Sequence, residues 1–598
     1  MNQTVLDRML SRVEKPARYI GGEWNSVVKE DAETRFALLF PDVYEIGMSH
    51  LGSRILYHAL NSQQGVACER AFAPWPDMEQ ALIDEREPLF SLETKRPLNE
   101  FDILGFSLLY EMCYTNILQM LALSYIPLLA SERGENDPLI ICGGPCACNP
   151  EPIAPFMDAV LIGDGEEMVL DLVQAYRDAK AQGMSRAELL KTLSGMRGFY
   201  VPSLKTKETR VARRIVRNLD AAVFTGEPIV PYLNIVHDRV ALEVMRGCTR
   251  GCRFCQAGYI YRPVRERKSE TLMQQARQQI GCTGYDEVSL LSLSTGDYSE
   301  VHTLVPQIIR EMEQGKVSVS LPSLRVDSEL ANDLTVMQSV RKAGLTFAPE
   351  AGTQRLRDVI NKNVTEEDIL RATQDAFSAG WSSVKLYFML GLPTETDEDI
   401  LGIAALSRKV SQQFYSLPKE QRGKGLRLTV SVSTFVPKPF TAFQWCGQVP
   451  AEEIRRRQEL IKNAIRGIRG AELHCHFSEL SVLEAAFSRG DEKLAGVLKR
   501  AYELGCRFDA WTEHFQPKAW AQAFSDCGLS AVDYAERAYG LEEPLPWDYA
   551  DMLVTKDYLK KEFLRSQQEE TTPDCREHCH ACFGQRTDAD CLSLKESK

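Results

Sequence analysis

In the stretch Arg246-Gly-Cys248-Thr-Arg-Gly-Cys252-Arg-Phe-Cys255-Gln-Ala-Gly258, three cysteines stand at C-x3-C-x2-C spacing directly after an apolar, strand-like run at residues 240–245. Thiolates are soft ligands that select zinc or iron–sulfur clusters. Three local thiolates leave one coordination position of a [4Fe–4S] cluster free for a small molecule. The stretch therefore predicts a metal site. Structural zinc is the alternative to a cluster, although zinc requires a fourth Cys or His.

The cysteine spacing, the preceding strand and the aromatic Phe254 just before the last cysteine resemble the radical S-adenosylmethionine (SAM) superfamily. In that family the free iron of a [4Fe–4S] cluster binds SAM, and the reduced cluster cleaves SAM to a 5′-deoxyadenosyl radical. The resemblance implies that Cys248, Cys252 and Cys255 hold such a cluster. It also implies an electron donor such as flavodoxin or ferredoxin.

Length and composition set the broad class of the protein. The 598 residues predict about three to five domains. No uninterrupted apolar run is long enough to span a membrane, since the best candidate, residues 117–130, contains polar residues and a proline. The start of the chain lacks a secretion signal, and the 17 cysteines are scattered, which favours a reducing, cytoplasmic location. The net charge of −13 disfavours a broad nucleic-acid surface but leaves a local RNA site open.

The N-terminal third alternates apolar runs with helical segments, and in each run after the first the apolar residues are followed by a glycine or a small residue. The runs cover residues 36–40, 101–107, 138–145 and 159–166. This pattern predicts an α/β fold with a Rossmann-like, doubly wound parallel sheet over residues 36–195, preceded by an extension at residues 1–35. Ligands bind such sheets at the carboxyl ends of the strands.

This region resembles the cobalamin-binding-like domain that precedes many radical SAM barrels. The resemblance depends on Gly143-Gly144-Pro145, on Gly163-Asp-Gly-Glu166, and on position in the chain. It implies that the cofactor contacts four strand-end residues. These are Ser107, Gly143, Gly144 and Gly163.

One motif of cobalamin domains is missing. The sequence D-x-H-x-x-G, which supplies a lower histidine ligand to cobalt, does not occur, because Met48 stands in place of the aspartate and His50 is one residue too close to Gly52. Cobalamin would therefore bind without a histidine ligand, and His50 is interpreted as a helix-start residue. The alternative is a domain without cofactor that serves as a scaffold or substrate platform.

Residues 196–238 form a predicted basic connector. Six cations cluster in it, namely Lys205, Lys207, Arg210, Arg213, Arg214 and Arg217. A basic run is usually a solvated face, and no aromatic residues are interleaved here for stacking on bases. Contact with nucleic acid is the alternative interpretation.

Strands and helices alternate again over residues 239–450, in line with the partial (β/α)6 TIM-type barrel of radical SAM proteins. After the strand that precedes the cysteines, further strands are predicted near residues 288–294, 317–325, 345–350, 383–391 and 428–437. The carboxyl ends of barrel strands carry the chemistry. The resemblance implies SAM contacts at Ser294, Gly296, Asp297, Arg325, Glu350 and Gly391. For Arg325 and Glu350, an ion pair on the barrel rim is the alternative.

Residues 451–570 predict an α-rich C-terminal domain, in which Trp511, Trp520 and Trp547 are core residues and the short run at residues 472–477 is a strand. His474 and His476 share one face of that strand, and a structural or substrate-lining role is favoured over metal binding.

The tail, residues 571–598, repeats the C-x3-C-x2-C spacing with Cys575, Cys579 and Cys582. A second iron–sulfur cluster is one interpretation. The other is zinc, with a nearby histidine or Cys591 as its fourth ligand.

Taken together, the sequence predicts a radical SAM enzyme, and cobalamin-dependent methyl transfer to an unactivated carbon is the most economical reaction for this layout. The first alternative is cobalamin-independent radical modification of RNA or of a ribosomal protein, with the tail as an auxiliary cluster. The second is a metal-stabilised assembly or binding factor without enzymatic activity. No motif indicates the substrate, so RNA and protein both stay open.

Overall fold

The computed structural model describes residues 1–314, 316–321, 345–422 and 425–584. Its strands in chain order are β1 Thr34–Phe40, β2 Val66–Phe72, β3 Ile103–Ser107, β4 Leu139–Gly143, β5 Ala159–Leu161, β6 Phe199–Tyr200, β7 Val211–Ala212, β8 Val240–Glu243, β9 Met245–Arg246, β10 Arg265–Glu266, β11 Glu287–Leu291, β12 Ser318–Ser320, β13 Leu345–Glu350, β14 Ser383–Leu390, β15 Arg427–Thr434, β16 Ala471–Cys475 and β17 Ala550–Asp551.

The helices alternate with these strands through most of the chain and dominate after β16. They are α1 Gln3–Leu10, α2 Tyr44–Gly47, α3 Leu51–Asn61, α4 Pro76–Glu85, α5 Tyr114–Leu123, α6 Gly165–Gln182, α7 Arg186–Ser194, α8 Ala257–Ile260, α9 Ser269–Thr283, α10 Val301–Gln314, α11 Gln354–Val359, α12 Glu366–Ser378, α13 Asp397–Ser416, α14 Ala451–Ile465, α15 Ser478–Arg489, α16 Leu494–Glu503, α17 Pro517–Asp526, α18 Ala531–Glu536 and α19 Lys556–Gln567. Within the described ranges, no helix has both the length and the apolar character needed to cross a membrane.

The N-terminal sheet has the strand order β2-β1-β3-β4-β5-β6. Its first five strands are parallel, and β6 runs antiparallel to β5. Side chains alternate across β1, so that Ala37 and Leu39 enter one apolar core and Phe36 and Leu38 enter the other. The predicted doubly wound sheet is confirmed. In this strand order the winding reverses between β1 and β3, which places a ligand crevice at their carboxyl ends.

Strand β2 is buried along its whole length although the sequence patterns did not predict it. Glu69 and Arg70 stand in its middle and interrupt the apolar run. Both side chains are paired inside the protein, and Arg70 forms ion pairs with Glu23 at 2.9 Å and Glu93 at 2.6 Å. Buried charges are tolerated where partners of opposite charge are in place, so this strand is stabilised by charge pairing that no local pattern reveals.

The barrel region contains two parallel sheets, with the orders β12-β11-β8 and β13-β14-β15-β16. Their strands follow the predicted succession. The predicted third strand begins at β12, and its remainder, including Arg325, lies outside the described residues. Strand β16 pairs with β15, so the second sheet continues past residue 450, where the sequence placed the end of the barrel.

Among the described residues, helices cover one face of the second sheet and leave the other face accessible. Leu386 and Phe388 of β14 pack with Ile403 of α13 in an apolar core. Lys385 and Tyr387 point to the opposite face, where Tyr387 is exposed. This alternation is typical of a barrel strand with a packed outer face and an accessible inner face.

The C-terminal helices pack on the N-terminal sheet. Trp520 and Trp547 are buried in the same apolar core as Leu104 of β3, and the ring of Trp75 contacts that of Trp511 at a centroid distance of 5.3 Å. The prediction that the C-terminal tryptophans are core residues is confirmed. The first and last parts of the chain therefore share one core.

Candidate active site between the N-terminal sheet and the cysteine loop

The cysteine loop, residues 247–258, begins with a turn that only glycine adopts without strain. Gly247 has a φ of +93°, and a Cβ at this position would lie 2.8 Å from the carbonyl oxygen of Tyr261. Farther along, the amide of Cys255 donates to the carbonyl oxygen of Cys252 at 3.1 Å, and the amide of Gly258 donates to that of Cys255 at 3.1 Å. These tight turns fold the three cysteines into one short loop.

The thiols of the cysteine loop lie near one another. All three are partly buried, and burial together with the nearby Cys252 and Cys248 raises the pKa of the Cys255 thiol to about 12. Thiols that disfavour each other's ionisation become thiolates when iron supplies compensating positive charge. Three neighbouring sulfur ligands in a partly buried loop therefore fit a [4Fe–4S] cluster with one open iron.

Remote parts of the chain hold the cysteine loop in place. The guanidinium of Arg253 is inaccessible and donates to Glu562 at 3.2 Å and to the carbonyl oxygen of Val359 at 2.9 Å. Asn361 donates to the carbonyl oxygen of Gly251 at 3.1 Å. Because these contacts are buried and satisfied, they fix the loop backbone and with it the separation of the thiols.

Replacing Gly247 with alanine tests this loop geometry. We expect Gly247→Ala to destabilise the protein by about 1–3 kcal/mol, because the left-handed backbone and the contact with Tyr261 both disfavour a Cβ, and to lower the iron content after anaerobic reconstitution. Denaturant unfolding and iron analysis measure the two effects. Gly281→Ala is the control, since a Cβ there meets nothing within 4 Å. Wild-type stability and iron content in Gly247→Ala would contradict this account of the loop.

The predicted SAM residues Ser294, Gly296 and Asp297 lie on the turn after β11, beside the cysteine loop. The hydroxyl of Ser294 donates to Asp297 at 2.6 Å, and Asp297 also binds Arg250 of the cysteine loop at 2.6 Å and Arg576 of the tail at 2.9 Å. Burial favours the neutral acid, but these bonds from Arg250, Ser294 and Arg576 dominate and lower the pKa of Asp297 to about 2. Asp297 thus links the loop to the tail, and its contact with SAM stays a prediction.

Glu350 and Gly391 occupy different surroundings. Glu350 ends β13 and pairs with Lys362 at 3.1 Å, as in the ion-pair interpretation. The positive charge of Lys362 is near enough to Cys255 to favour the thiolate form of that cysteine. Gly391 follows β14, and a Cβ there would lie 3.0 Å from Ile454 of α14. The structure therefore brings Glu350 close to the cysteine loop and places Gly391 against a helix. No sequence signal pointed to Lys362.

A cavity of about 420 Å³ lies between the N-terminal sheet and the barrel. The four strand-end residues predicted to contact cobalamin all line it, namely Ser107, Gly143, Gly144 and Gly163. The facing wall contains Arg246 and Gly247, at the start of the cysteine loop, and residues 291–293 after β11. The cavity thus joins the carboxyl ends of both parallel systems, where α/β folds bind ligands.

Two of these glycines have a structural explanation. Gly144 and Gly163 both have a φ of +130°, and a Cβ would lie 2.5 Å from the carbonyl oxygen of Leu108 and 2.1 Å from that of Arg214, respectively. Their backbone conformation and close neighbours require glycine whether or not a ligand is bound. The glycines therefore shape the cavity floor but do not by themselves identify its occupant.

His50 lines the same cavity and serves as the N-cap of α3. Its Nδ1 accepts from the amide of Ser53 at 3.1 Å, and burial lowers the pKa of its imidazole to about 4. A Cβ on Gly52 would lie 2.7 Å from the ring. The interpretation of His50 as a helix-start residue is confirmed.

Asp164 is the centre of a buried charge cluster at the rim of the cavity. It pairs with Arg265, with Arg213 at 3.4 Å and with Arg246 at 3.6 Å. Arg246 also binds Glu166 at 2.6 Å. This Asp164 cluster fastens the N-terminal sheet to the connector and to the barrel. Asp164 and Arg246 both belong to motifs identified in the sequence analysis, but only the fold brings the two residues together.

The same contacts account for part of the basic connector. Arg213 is buried against Asp164, Arg214 binds Glu167 at 2.9 Å, and Lys205 binds Glu151 at 2.5 Å. These three cations are neutralised by carboxylates of the N-terminal region. Their ion pairs connect the connector to the N-terminal region, and this disfavours contact with nucleic acid for these three residues.

His474 is exposed on β16, and its Nε2 lies 3.3 Å from Glu472. Across the described part of the chain, no three His, Cys, Asp or Glu side chains are grouped closely enough for a single metal ion. The predicted metal at the tail cysteines stays a prediction.

Comparison with known proteins agrees with this site. Residues 242–406 match the family model of the radical SAM superfamily, and residues 52–202 match that of the N-terminal region of radical SAM proteins. The chain therefore belongs to the radical SAM proteins and is an enzyme of that superfamily, whose domain binds a [4Fe–4S] cluster and SAM. The resemblance drawn from the cysteine loop is confirmed.

Individual relatives are more distant. Uncharacterized protein MJ0966 of Methanocaldococcus jannaschii is 28% identical over 77% of this chain and 90% of its own. The tRNA-2-methylthio-N(6)-dimethylallyladenosine synthase of Carboxydothermus hydrogenoformans is 28% identical over 38% of this chain and 50% of its own. A solved structure of the radical SAM methyltransferase TsrM from Kitasatospora setae, with cobalamin and a [4Fe–4S] cluster bound, aligns with a TM-score of 0.45 and 13% identity over 67% of this chain and 74% of that one.

Proposed function

We propose that this radical SAM enzyme binds cobalamin in the cavity and transfers a methyl group to an unactivated carbon. The observation that carries the proposal is the cavity itself, at the carboxyl edge of a 2-1-3-4-5 sheet and walled on its far side by the first residues of the cysteine loop. A cofactor held there faces the SAM-binding cluster. Cobalamin and SAM then act on one substrate that lies between them.

The lining of the cavity suits a large cofactor with an apolar ring. Leu38, Ile141 and Leu161 form its floor, together with the small residues at the strand ends. His50 is engaged with Ser53 at the start of α3, so the proposed site offers cobalt no histidine from the D-x-H-x-x-G position. Backbone groups at Ser107, Gly143 and Gly163 would hold the periphery of the cofactor.

When bound, cobalamin supplies a transferable methyl group, and SAM at the cluster supplies the radical that removes hydrogen from the substrate carbon. The residues of the chain position these groups and exclude water. The Asp164 cluster fixes the rim, Gly247 orients the loop toward the cavity, and the apolar floor keeps the site dry. A dry, rigid site protects a radical from side reactions.

Radical modification of RNA without cobalamin is the second candidate. It is favoured by the similarity to two tRNA-modifying synthases, which spans 38% and 29% of this chain. Against it, three of the connector's cations are paired internally. Cobalt content separates the two candidates.

The first test is the metal content of protein purified anaerobically from cells supplied with cobalamin. We expect stoichiometric cobalt in the wild type. Ser107→Phe fills the cavity from the end of β3, and because overfilling a packed site costs about 1–3 kcal/mol, cobalamin affinity should fall roughly tenfold or more. Iron content should not change.

Ser194→Phe places the same substitution on the exposed end of α7 and is the matched control. It should retain wild-type cobalt. A wild-type protein with full iron and no cobalt would exclude the cobalamin proposal and leave the radical SAM assignment intact.

A further inference from the structure

The start of the tail, at Asp574 and Cys575, lies against the cysteine loop, which its position more than 300 residues later in the sequence does not suggest. The hydroxyl of Thr249 donates to Asp574 at 2.8 Å, and the amide of Cys575 donates to the carbonyl oxygen of Thr249 at 3.3 Å. Arg250 binds the same Asp574 carboxylate at 3.0 Å. The first tail cysteine is therefore hydrogen-bonded to the residue that follows Cys248.

Arg262 stands between the two cysteine sets. Its guanidinium donates to the carbonyl oxygens of Gly258 and Arg250, each at 3.0 Å, and is only 4% exposed. None of the ion pairs in the described ranges involves Arg262. Its guanidinium lies 5.2 Å from the ring centroid of Tyr259 and 5.9 Å from that of Tyr558, and the tail thiols of Cys582 and Cys575 are also near its charge. A buried cation requires a compensating negative charge, and metal-bound thiolates at the tail would provide it.

One tail cysteine differs from the rest in access to solvent. The three loop cysteines are partly buried, as are Cys575 and Cys582, whereas Cys579 is exposed. The tail therefore presents one sulfur ligand at the surface and contacts the cysteine loop through Asp574 and Cys575. This arrangement suits a relay between an external partner and the redox centre of the cysteine loop.

We propose that Cys575, Cys579 and Cys582 hold a second iron–sulfur cluster that conducts electrons to the SAM-binding cluster. One electron arrives from a low-potential protein donor of the flavodoxin or ferredoxin class, and one electron leaves to the cluster at Cys248, Cys252 and Cys255. The tail cluster returns to its starting oxidation state, and no bond is made or broken there. The proposal depends on the radical SAM class and not on cobalamin.

Zinc is the competing occupant of the tail. A single ion needs its ligands within about 2.3 Å of one centre, and Cys591, a candidate fourth ligand, lies outside the described residues. In a cluster each cysteine binds a different iron, so its ligands stand farther apart. The tail has the same C-x3-C-x2-C sequence spacing as the cysteine loop, and this similarity favours a cluster over zinc.

The test compares metal content and electron supply in Cys579→Ala and Cys575→Ala. Reconstituted wild type should contain roughly eight irons per chain and each variant roughly four, as expected for two clusters and one. SAM cleavage driven by reduced flavodoxin should fall about tenfold further than cleavage driven by dithionite, because the small reductant does not need the relay. Electron paramagnetic resonance of the reduced proteins should lose one of two signals.

Cys527→Ala, at an exposed cysteine outside both motifs, is the control and should match the wild type in every measurement. Stoichiometric zinc that disappears in the tail variants would overturn the cluster proposal. Equal losses with both reductants would overturn the relay. Retention of roughly four irons by Cys255→Ala would support two separate cluster sites. This iron measurement tests the tail cluster whether or not the protein contains cobalt.

Discussion

Replacing Cys248, Cys252 or Cys255 with alanine is expected to reduce 5′-deoxyadenosine formation to the background of the assay. Each thiol supplies one of the three ligands of the cluster that cleaves SAM, and the loop backbone is too constrained by Arg253 and Asn361 to bring in a substitute. Anaerobic incubation with SAM and dithionite, followed by chromatography of the nucleoside, measures the loss.

Cys282→Ala is the matched control for these substitutions. Cys282 is also partly buried, but it belongs to α9 and its thiol contacts the carbonyl oxygen of Gly226. This variant should retain full SAM cleavage. A loop variant that still produces 5′-deoxyadenosine at the wild-type rate would remove the cysteine loop from the chemistry.

The second large effect is expected at Asp164. Asp164→Asn leaves Arg213, Arg246 and Arg265 around a neutral side chain, and removing one partner from a buried ion cluster typically costs about 3–5 kcal/mol. The free energy of unfolding, measured with denaturant, should fall by that amount. Asp397→Asn removes an exposed partner of Arg456 instead and should leave stability nearly unchanged.

The same carboxylate predicts a pH dependence. Burial favours the neutral acid, but Arg265, Arg213 and Arg246 outweigh it and hold the pKa of Asp164 far below its usual range. The stabilisation is therefore complete above the unfolded-state pKa of about 4 and is lost as the pH falls below it. Wild type should lose stability on acidification more steeply than Asp164→Asn. Parallel curves would show that Asp164 is not the ionised centre of the cluster.

The sequence predicted the features that depend on local pattern. The cysteine spacing identified the loop, and apolar runs followed by a glycine or a small residue identified β3, β4 and β5. Strand β2 escaped because Glu69 and Arg70 interrupt its apolar pattern and are neutralised only by the tertiary fold.

Contacts between distant segments were beyond prediction for the same reason. Nothing in the neighbourhood of Asp574 indicates that it binds Thr249, and nothing near Lys362 indicates Glu350. The sequence shows that Asp164 and Arg246 are charged, but it does not indicate that they pair with each other. The substrate stays unidentified because recognition by such sites depends on the shape and polarity of an assembled surface.

The dependence of the cysteine loop on Glu562, Asp574 and Arg576 has a consequence for biosynthesis. These residues are translated more than 300 residues after the cysteine loop, so a ribosome must synthesise the intervening chain before the loop can close. Delivery of iron and sulfide to the finished site then follows synthesis of the tail. A nascent chain stalled upstream of the tail would expose its thiols to oxygen without a finished site to receive the cluster.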